Sequence, residues 1–93
     1  MEISHKDNGK TGIFYIDQDG ERLAEMTYTW RENSILIDHT QVSDVLAGKG
    51  IGKQLVDKGV AFAREKHITV VPVCPFVQKI LNLGTHYQDI LQK

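Results

Sequence analysis

The sequence is poor in the features that would tie it to several familiar classes. It holds one cysteine, Cys74, so no internal disulfide can form, which fits a reducing, cytoplasmic setting. No apolar run approaches the roughly 20 residues a membrane span requires, so no membrane partner is expected. No positively charged segment with an apolar core opens it, so no secretory signal is expected. Eleven Lys and Arg against twelve Asp and Glu leave a formal net charge of −1. Nucleic acid is not an expected partner at that balance, because phosphate backbones attract basic side chains clustered on one face. There is no internal repeat, linker or low-complexity stretch, and 93 residues give room for one domain. A chain this short buries only roughly 60–65% of its unfolded surface, so a ligand or a partner copy would add to a modest stability.

What the sequence does have is a change of period near its middle. Residues 1–12 read as a polar start ending in a turn at Asn8-Gly9. "IFYID" follows as a strand, closed by Asp19-Gly20 where a hairpin wants it. "RLAEMTYTW" alternates as a half-buried strand, and "SILIDHTQV" predicts a third. In that third strand strict alternation puts Ile35, Ile37 and His39 on one face and Leu36, Asp38 and Thr40 on the other. After Gly50 the spacing of Ile51, Leu55, Gly59 and Phe62 predicts a helix that stops near Lys66 or His67. "ITVVPVC" predicts a strand buried on both faces, with a bulge or an end at Pro72. "PFVQKILNLG" reads as a short helix opened by Pro75, and "HYQDILQK" as a terminal helix. The fold class is therefore α/β of the α+β type, in the order β-β-β-α-β-α. An antiparallel meander feeds a parallel pair of the third and fourth strands, joined by the helical crossover.

The chemistry concentrates in "DVLAGKGIGKQLVDKG", residues 44–59. Glycines at 48, 50 and 52 let backbone N–H groups point into one concavity. The helix that starts there leaves its own first N–H groups unpaired and carries partial positive charge. Phosphate or pyrophosphate is the natural guest, with Lys49 and Lys53 on the rim. The alternative is a ligand-free connection, but three glycines in five residues exceed what a turn requires. A Walker A loop fails twice, since Ala47 stands where its first glycine belongs and Gln54 where Ser or Thr should be. A dinucleotide Gly-x-Gly-x-x-Gly finds Lys53 at its third glycine.

The run Ala47-Gly48-Lys49-Gly50-Ile51-Gly52 instead resembles the pyrophosphate signature of the GNAT acetyltransferase superfamily, Arg/Gln-x-x-Gly-x-Gly/Ala. Ala47 stands where Arg or Gln is usual, so one side-chain contact is missing. With "DHTQV", "VPVCPF" and the element order, the resemblance runs from residue 12 to about 90 and is to short, single-domain GNAT-like proteins. It implies acetyl-CoA as the cofactor. It further implies that the third and fourth strands splay and that the pantetheine arm pairs with backbone at Gln41 and Val42. Residues 47–53 would then take the pyrophosphate. The thioester would end between Asp38-His39 and Val73-Cys74.

Two roles follow from that placement. An amine attacks acetyl-CoA directly, with His39 or a water as general base and a backbone N–H polarising the carbonyl. Alternatively the Cys74 thiolate, its pKa lowered by the helix start, takes the acetyl group first. The plain readings are a buried strand-end cysteine and a histidine packed and hydrogen-bonded on a strand face. Ile80 and Leu81 stand where the family often places an acidic tyrosine, and Tyr87 comes later. The other histidines, His5, His67 and His86, show no metal-site pattern. Larger relatives build an acceptor groove before the meander, where this chain has about a dozen residues. Three arrangements fit: a small, loosely held amine acceptor, a homodimer whose second subunit completes the groove, or no acceptor. The functions expected are N-acetyl transfer from acetyl-CoA to an amine, or a non-catalytic acetyl-CoA sensor or carrier that acetylates itself on Cys74.

Overall fold

The computed structural model describes residues 2–84 and 86–91. Five strands form one sheet in sequence order: β1 (Ser4–Asp7), β2 (Thr11–Gln18), β3 (Glu21–Arg31), β4 (Ser34–Val42) and β5 (Thr69–Pro72). The first four pair antiparallel and β4–β5 is parallel, as the intervening helix α1 (Ile51–Lys66) requires. A second helix, α2 (Pro75–Leu83), follows β5.

The local signals account for most of these boundaries. Asp19 and Gly20 both take positive φ, 53° and 79°, which is the backbone a two-residue hairpin between right-twisted strands needs. His67 ends α1 in the left-handed conformation and donates its N–H to Arg64. Pro72 ends β5, and Pro75 opens α2, where its missing N–H costs nothing.

Three expectations are corrected. The polar start contains β1, an edge strand whose register runs Ser4↔Tyr15 to Asp7↔Gly12. The segment expected to be a terminal helix is a series of turns over residues 86–90, followed by a bridge from Leu91 to Val70; its last two residues lie outside those described. Finally, β5 is buried on one face only: Val70 is fully buried, while Val71 is intermediate.

The third correction has a simple cause. The right-handed crossover from β4 to β5 places α1 on one side of the sheet, and α2 packs on that same side. Phe14, Ile16, Met26, Tyr28, Ile35 and Ile37 are buried beneath Leu55, Val56, Val60 and Ala63 of α1 and Val77 and Leu81 of α2. On the other face Ile13, Tyr15, Thr27, Leu36 and Val71 are only half-buried, because no helix covers them. The result is a two-layer structure with one bare sheet face.

At the β1 end, polar groups hold the sheet edge. The Tyr28 ring passes over Gly12, where a Cβ would fall 2.1 Å from its Cζ. Its hydroxyl donates to Asp7 at 2.5 Å, and the Trp30 indole N–H donates to the same oxygen at 2.8 Å. His5 Nε2 lies 2.7 Å from the Tyr28 hydroxyl and the imidazole stacks on Phe14 with centroids 4.1 Å apart. Burial pushes Asp7 up, but the Tyr28 hydroxyl and the Gly9 and Trp30 N–H groups outweigh it and hold the carboxyl below its usual range. Burial pushes His5 below its ordinary value, against the pull of Asp7.

Two predictions follow from this packing. Gly12→Ala should destabilise the protein by about 1–3 kcal/mol, the usual cost of overpacking against a fixed ring. Gly59→Ala, whose Cβ would crowd the flexible Met26 Cε at 2.9 Å and lie in ordinary contact with Ile37 Cδ1 at 3.6 Å, should be close to neutral once helix propensity is included. Equal denaturation midpoints for the two variants would contradict this packing. Because the folded His5 has a depressed pKa, its contribution is complete above 6.5 and declines as pH falls below it. The melting temperature of the wild type should therefore fall on acidification through that range, and His5→Gln should flatten the fall.

Candidate functional site

The site lies where β4 and β5 part. Their register ends at Ile37↔Pro72. The Ile37 carbonyl then accepts from both the Val73 N–H at 3.0 Å and the Cys74 N–H at 2.9 Å, and the chain turns into α2. β4 continues alone on that side through residues 38–42, so Gln41 and Val42 keep an edge that β5 does not pair.

The same place carries a bulge. Tyr28 faces Ile37 and Thr27 faces His39, leaving Asp38 as the extra residue. Alternation therefore reverses. Thr40 and Val42 pair with the buried Met26 and Ala24 and take the helix-covered face, while His39 and Gln41 pair with Thr27 and Glu25 on the bare face. This corrects the expectation that His39 shares a face with Ile35 and Ile37. His39 is half exposed, with Nε2 3.5 Å from Glu25.

Cys74 sits on the covered side. It is the N-cap of α2, 9% exposed, with its thiol donating to the Thr40 hydroxyl at 3.7 Å. Burial pushes the thiol pKa up, but the Val77 and Phe76 N–H groups at the helix start and the Thr40 hydroxyl outweigh it, so the pKa falls below its ordinary value. Among the described residues no hydrogen bond or ion pair joins His39 to Cys74; the two approach the parting of the strands from opposite faces. Thr40, absent from the expected site, is the residue that contacts the sulfur.

The glycine loop follows from β4. Ser43 donates its N–H to Leu23 at 2.7 Å and its hydroxyl accepts from Val45, starting a 3-10 turn over Asp44–Leu46. Leu46, 1% exposed, pins this turn in the core. Ala47, Gly48, Lys49 and Gly50 then stand in solvent. Gly48 and Gly50 take φ of 79° and 68°, and a Cβ on either would meet nothing, so backbone handedness and not crowding calls for glycine. Gly52 differs: its Cβ would lie 2.5 Å from the Phe76 ring of α2, which closes over the first turn of α1. That turn starts at Ile51, has no side-chain cap and no acidic residue. The N–H groups of Ile51, Gly52 and Lys53 thus lack an intrahelical acceptor and present partial positive charge. The Lys53 ammonium is engaged by Asp57 at 2.9 Å, and Asp57 also accepts from the Tyr87 hydroxyl at 2.6 Å.

An extended edge, a glycine loop and an uncapped helix start therefore meet at one end of the sheet. That combination can hold an anionic group on backbone N–H and an extended arm along β4.

The model of the GCN5-related N-acetyl-transferase family matches residues 13–90. The solution structure of a GCN5-like protein from Staphylococcus aureus is 40% identical, with a TM-score of 0.76, over 98% of this chain and 87% of that one. The ribosomal-protein-alanine N-acetyltransferase of Brucella melitensis biovar Abortus 2308 shares the fold at 21% identity and a TM-score of 0.63, over 92% of this chain and 64% of that one. The ribosomal-protein-S18-alanine N-acetyltransferase of Escherichia coli shares it at 12% identity and a TM-score of 0.60, over 69% of this chain and 42% of that one. No curated protein is significantly similar. No helix among the described residues is long and apolar enough to cross a membrane. By its family match and its fold, the chain belongs to the GCN5-related N-acetyltransferase family.

Proposed function

We propose that this acetyltransferase binds acetyl-CoA at the parting of β4 and β5 and transfers the acetyl group to an amine. The observation that carries the reading is that β4 outruns β5 by residues 38–42 and leads, through a buried anchor at Leu46, into two left-handed glycines and an uncapped helix start. The pyrophosphate sits on the loop of residues 47–53, held by the helix-start N–H groups of Ile51, Gly52 and Lys53, since those of Ala47 and Lys49 already donate to Asp44 and Leu46. The pantetheine arm pairs with Gln41 and Val42. The thioester then ends beside Ile37 and the Asp38 bulge. The amine nitrogen forms a bond to the thioester carbon and the carbon–sulfur bond breaks. The nitrogen's proton leaves through His39 or a water and protonates the coenzyme A thiolate. Backbone N–H at the bulge polarises the carbonyl oxygen.

A second reading is favoured by one observation: Cys74 faces the same parting with a lowered pKa and a helix start behind it. In that reading its thiolate bonds to the thioester carbon of acetyl-CoA and the bond from that carbon to the coenzyme A sulfur breaks. Coenzyme A leaves with the proton that Cys74 lost, and the enzyme either passes the acetyl group to the amine or carries it.

The binding step is tested by Gly50→Asp. Aspartate is one of the side-chained residues that best tolerate the left-handed region, so the loss of thermal stability should be small beside the loss of affinity. Its carboxylate occupies the free N–H groups and repels a pyrophosphate, so acetyl-CoA affinity by calorimetry should fall at least roughly tenfold. Unchanged affinity would remove the loop from the site. The two transfer routes separate in Cys74→Ser and His39→Gln. Direct transfer predicts that Cys74→Ser keeps most of its turnover while His39→Gln loses about 10²–10⁴-fold. An acetyl group found by intact-mass spectrometry on the wild type but not on Cys74→Ser, together with lost turnover, would establish the cysteine route.

A further inference from the structure

The bare face of the sheet carries a depression that the coenzyme reading leaves unused. It measures about 560 Å³, within the size range of ligand sites, and Lys6, Asp7, Ile13, Thr27, Thr29 and Asp38 are among its lining residues. Asp38 is the bulged residue, one position past the last β4–β5 pair, so its carboxylate stands at the edge of the parting from the side opposite Cys74.

The hydrogen bonding there fixes a polarity. The Thr27 hydroxyl donates to one Asp38 oxygen at 2.7 Å and the Thr29 hydroxyl to the other at 3.3 Å. Each hydroxyl has a single proton, and both protons point at the carboxylate. What the group offers outward is therefore lone pairs alone: two threonine oxygens and the remaining sites of the carboxylate. A guest that only donates is matched to this, and a primary ammonium, with three N–H donors and no acceptor, is such a guest. The carboxylate of the lining residue Asp7 turns to the helix-covered side, where Gly9, Tyr28 and Trp30 engage it. Lys6, the one cation among the described lining residues, lies over the Tyr15 ring, 5.5 Å from its centroid. Ile13 supplies apolar surface for an alkyl arm.

We infer that this depression receives the acceptor as a primary alkylammonium, anchored on Asp38 with Thr27 and Thr29, on the helix-free face of the sheet. The inference rests on the acetyl-transfer reading for the identity of the guest and on the depression alone for its chemistry. His39, the next residue, reaches the same face, where it can take the proton that the ammonium must lose before its nitrogen attacks. Asp38 is thus a binding residue for the acceptor and leaves the coenzyme loop untouched.

The test is an NMR titration with two probes, followed separately. The first, n-butylammonium chloride near neutral pH, should shift the amides of Thr27, Thr29 and Asp38, and n-butanol should not. Asp38→Asn keeps an oxygen for one of the two hydroxyls, replaces the other acceptor with an NH2 donor, and should weaken butylammonium binding roughly tenfold or more. Thr29→Val, which leaves Asp38 charged, should weaken it by a smaller factor and serves if Asp38→Asn fails to fold. A short N-acetylated peptide containing one lysine, set beside its norleucine counterpart, separates the sources of the amine. Tighter binding than butylammonium assigns the arm to a polypeptide, equal binding to a free amine, and the site stands in both cases. The second probe, acetyl-CoA, is read at the amides of Gly48 to Gly52. Shifts there with no butylammonium response, or an equal response to n-butanol, or an unchanged response in Asp38→Asn, would overturn the ammonium site and spare the coenzyme reading. Butylammonium binding without any acetyl-CoA response would overturn the transferase reading and leave the ammonium site in place.

Discussion

The carbonyl of Ile37 is the last point at which β4 is tied on its β5 side, and it is tied twice, to the Val73 and Cys74 N–H groups. Two donors on one acceptor bend the chain sharply out of the sheet. Pro75 then fixes the backbone for α2 and removes a donor that would have had no partner. Had β5 run on beside β4, the backbone of residues 38–42 would be satisfied internally and the sheet would be closed to any extended guest. A short β5 is thus what leaves this edge of β4 open. β5 ends in the turn where the Val73 and Cys74 N–H groups share the Ile37 carbonyl and Pro75 opens α2; the missing N–H of Pro72 falls on the edge away from β4, the side on which Val70 donates to Ile90.

The bulge at Asp38 makes that opening two-sided. In a strictly alternating β4, His39 would point under the helices toward the core and Thr40 would point away. With one extra residue, Thr40 meets Cys74 on the covered side, while Asp38 and His39 meet Thr27, Thr29 and Glu25 on the bare side. Covering helices on one face and none on the other then separate two environments across one sheet. The thiol is nearly buried and held at a helix start, whereas the imidazole and carboxylates stand in water. Among the described residues nothing bridges them, so any chemistry that uses both sides must pass through the gap between β4 and the start of α2.

This geometry was partly legible. The crossover helix, the hairpin at Asp19-Gly20, the halt at Pro72 and the glycine loop all rest on local rules, and each formed where those rules put it. The strand β1 was not legible because a short edge strand of Ser, His, Lys and Asp has no apolar alternation; its pairing is held by Tyr28 and Trp30, more than 20 residues away. The bulge was equally hidden. Its signature is Asp38 accepting from two threonines on a neighbouring strand, a contact that no spacing within β4 announces. The terminal segment misled for a third reason. Tyr87 and Ile90 have helical spacing and are both buried, but tertiary bonds hold them: the Tyr87 hydroxyl donates to Asp57, and Arg64 binds Asp89 and the His86 carbonyl. Burial of two residues three apart satisfies a turn as well as a helix.

Those tertiary bonds also shape what the glycine loop can offer. Lys53 is one residue beyond Gly52 and would be the nearest fixed cation to an anion on the loop. Its partner Asp57 lies one helical turn further on, and the Tyr87 hydroxyl orients that carboxylate from the C-terminal segment. The three groups form a chain that draws the ammonium down the helix and neutralises it there. Ala47 supplies no charge either, and Lys49 stands exposed, where water screens it. What remains at the helix start is the set of N–H groups on residues 51 to 53, fixed in direction by α1 and by the packing of Phe76 over Gly52. Recognition by oriented backbone depends on position more than on charge. The buried anchor at Leu46 and the ring of Phe76 therefore matter to this loop as much as its glycines do, because they hold the donors still while leaving their outer side open.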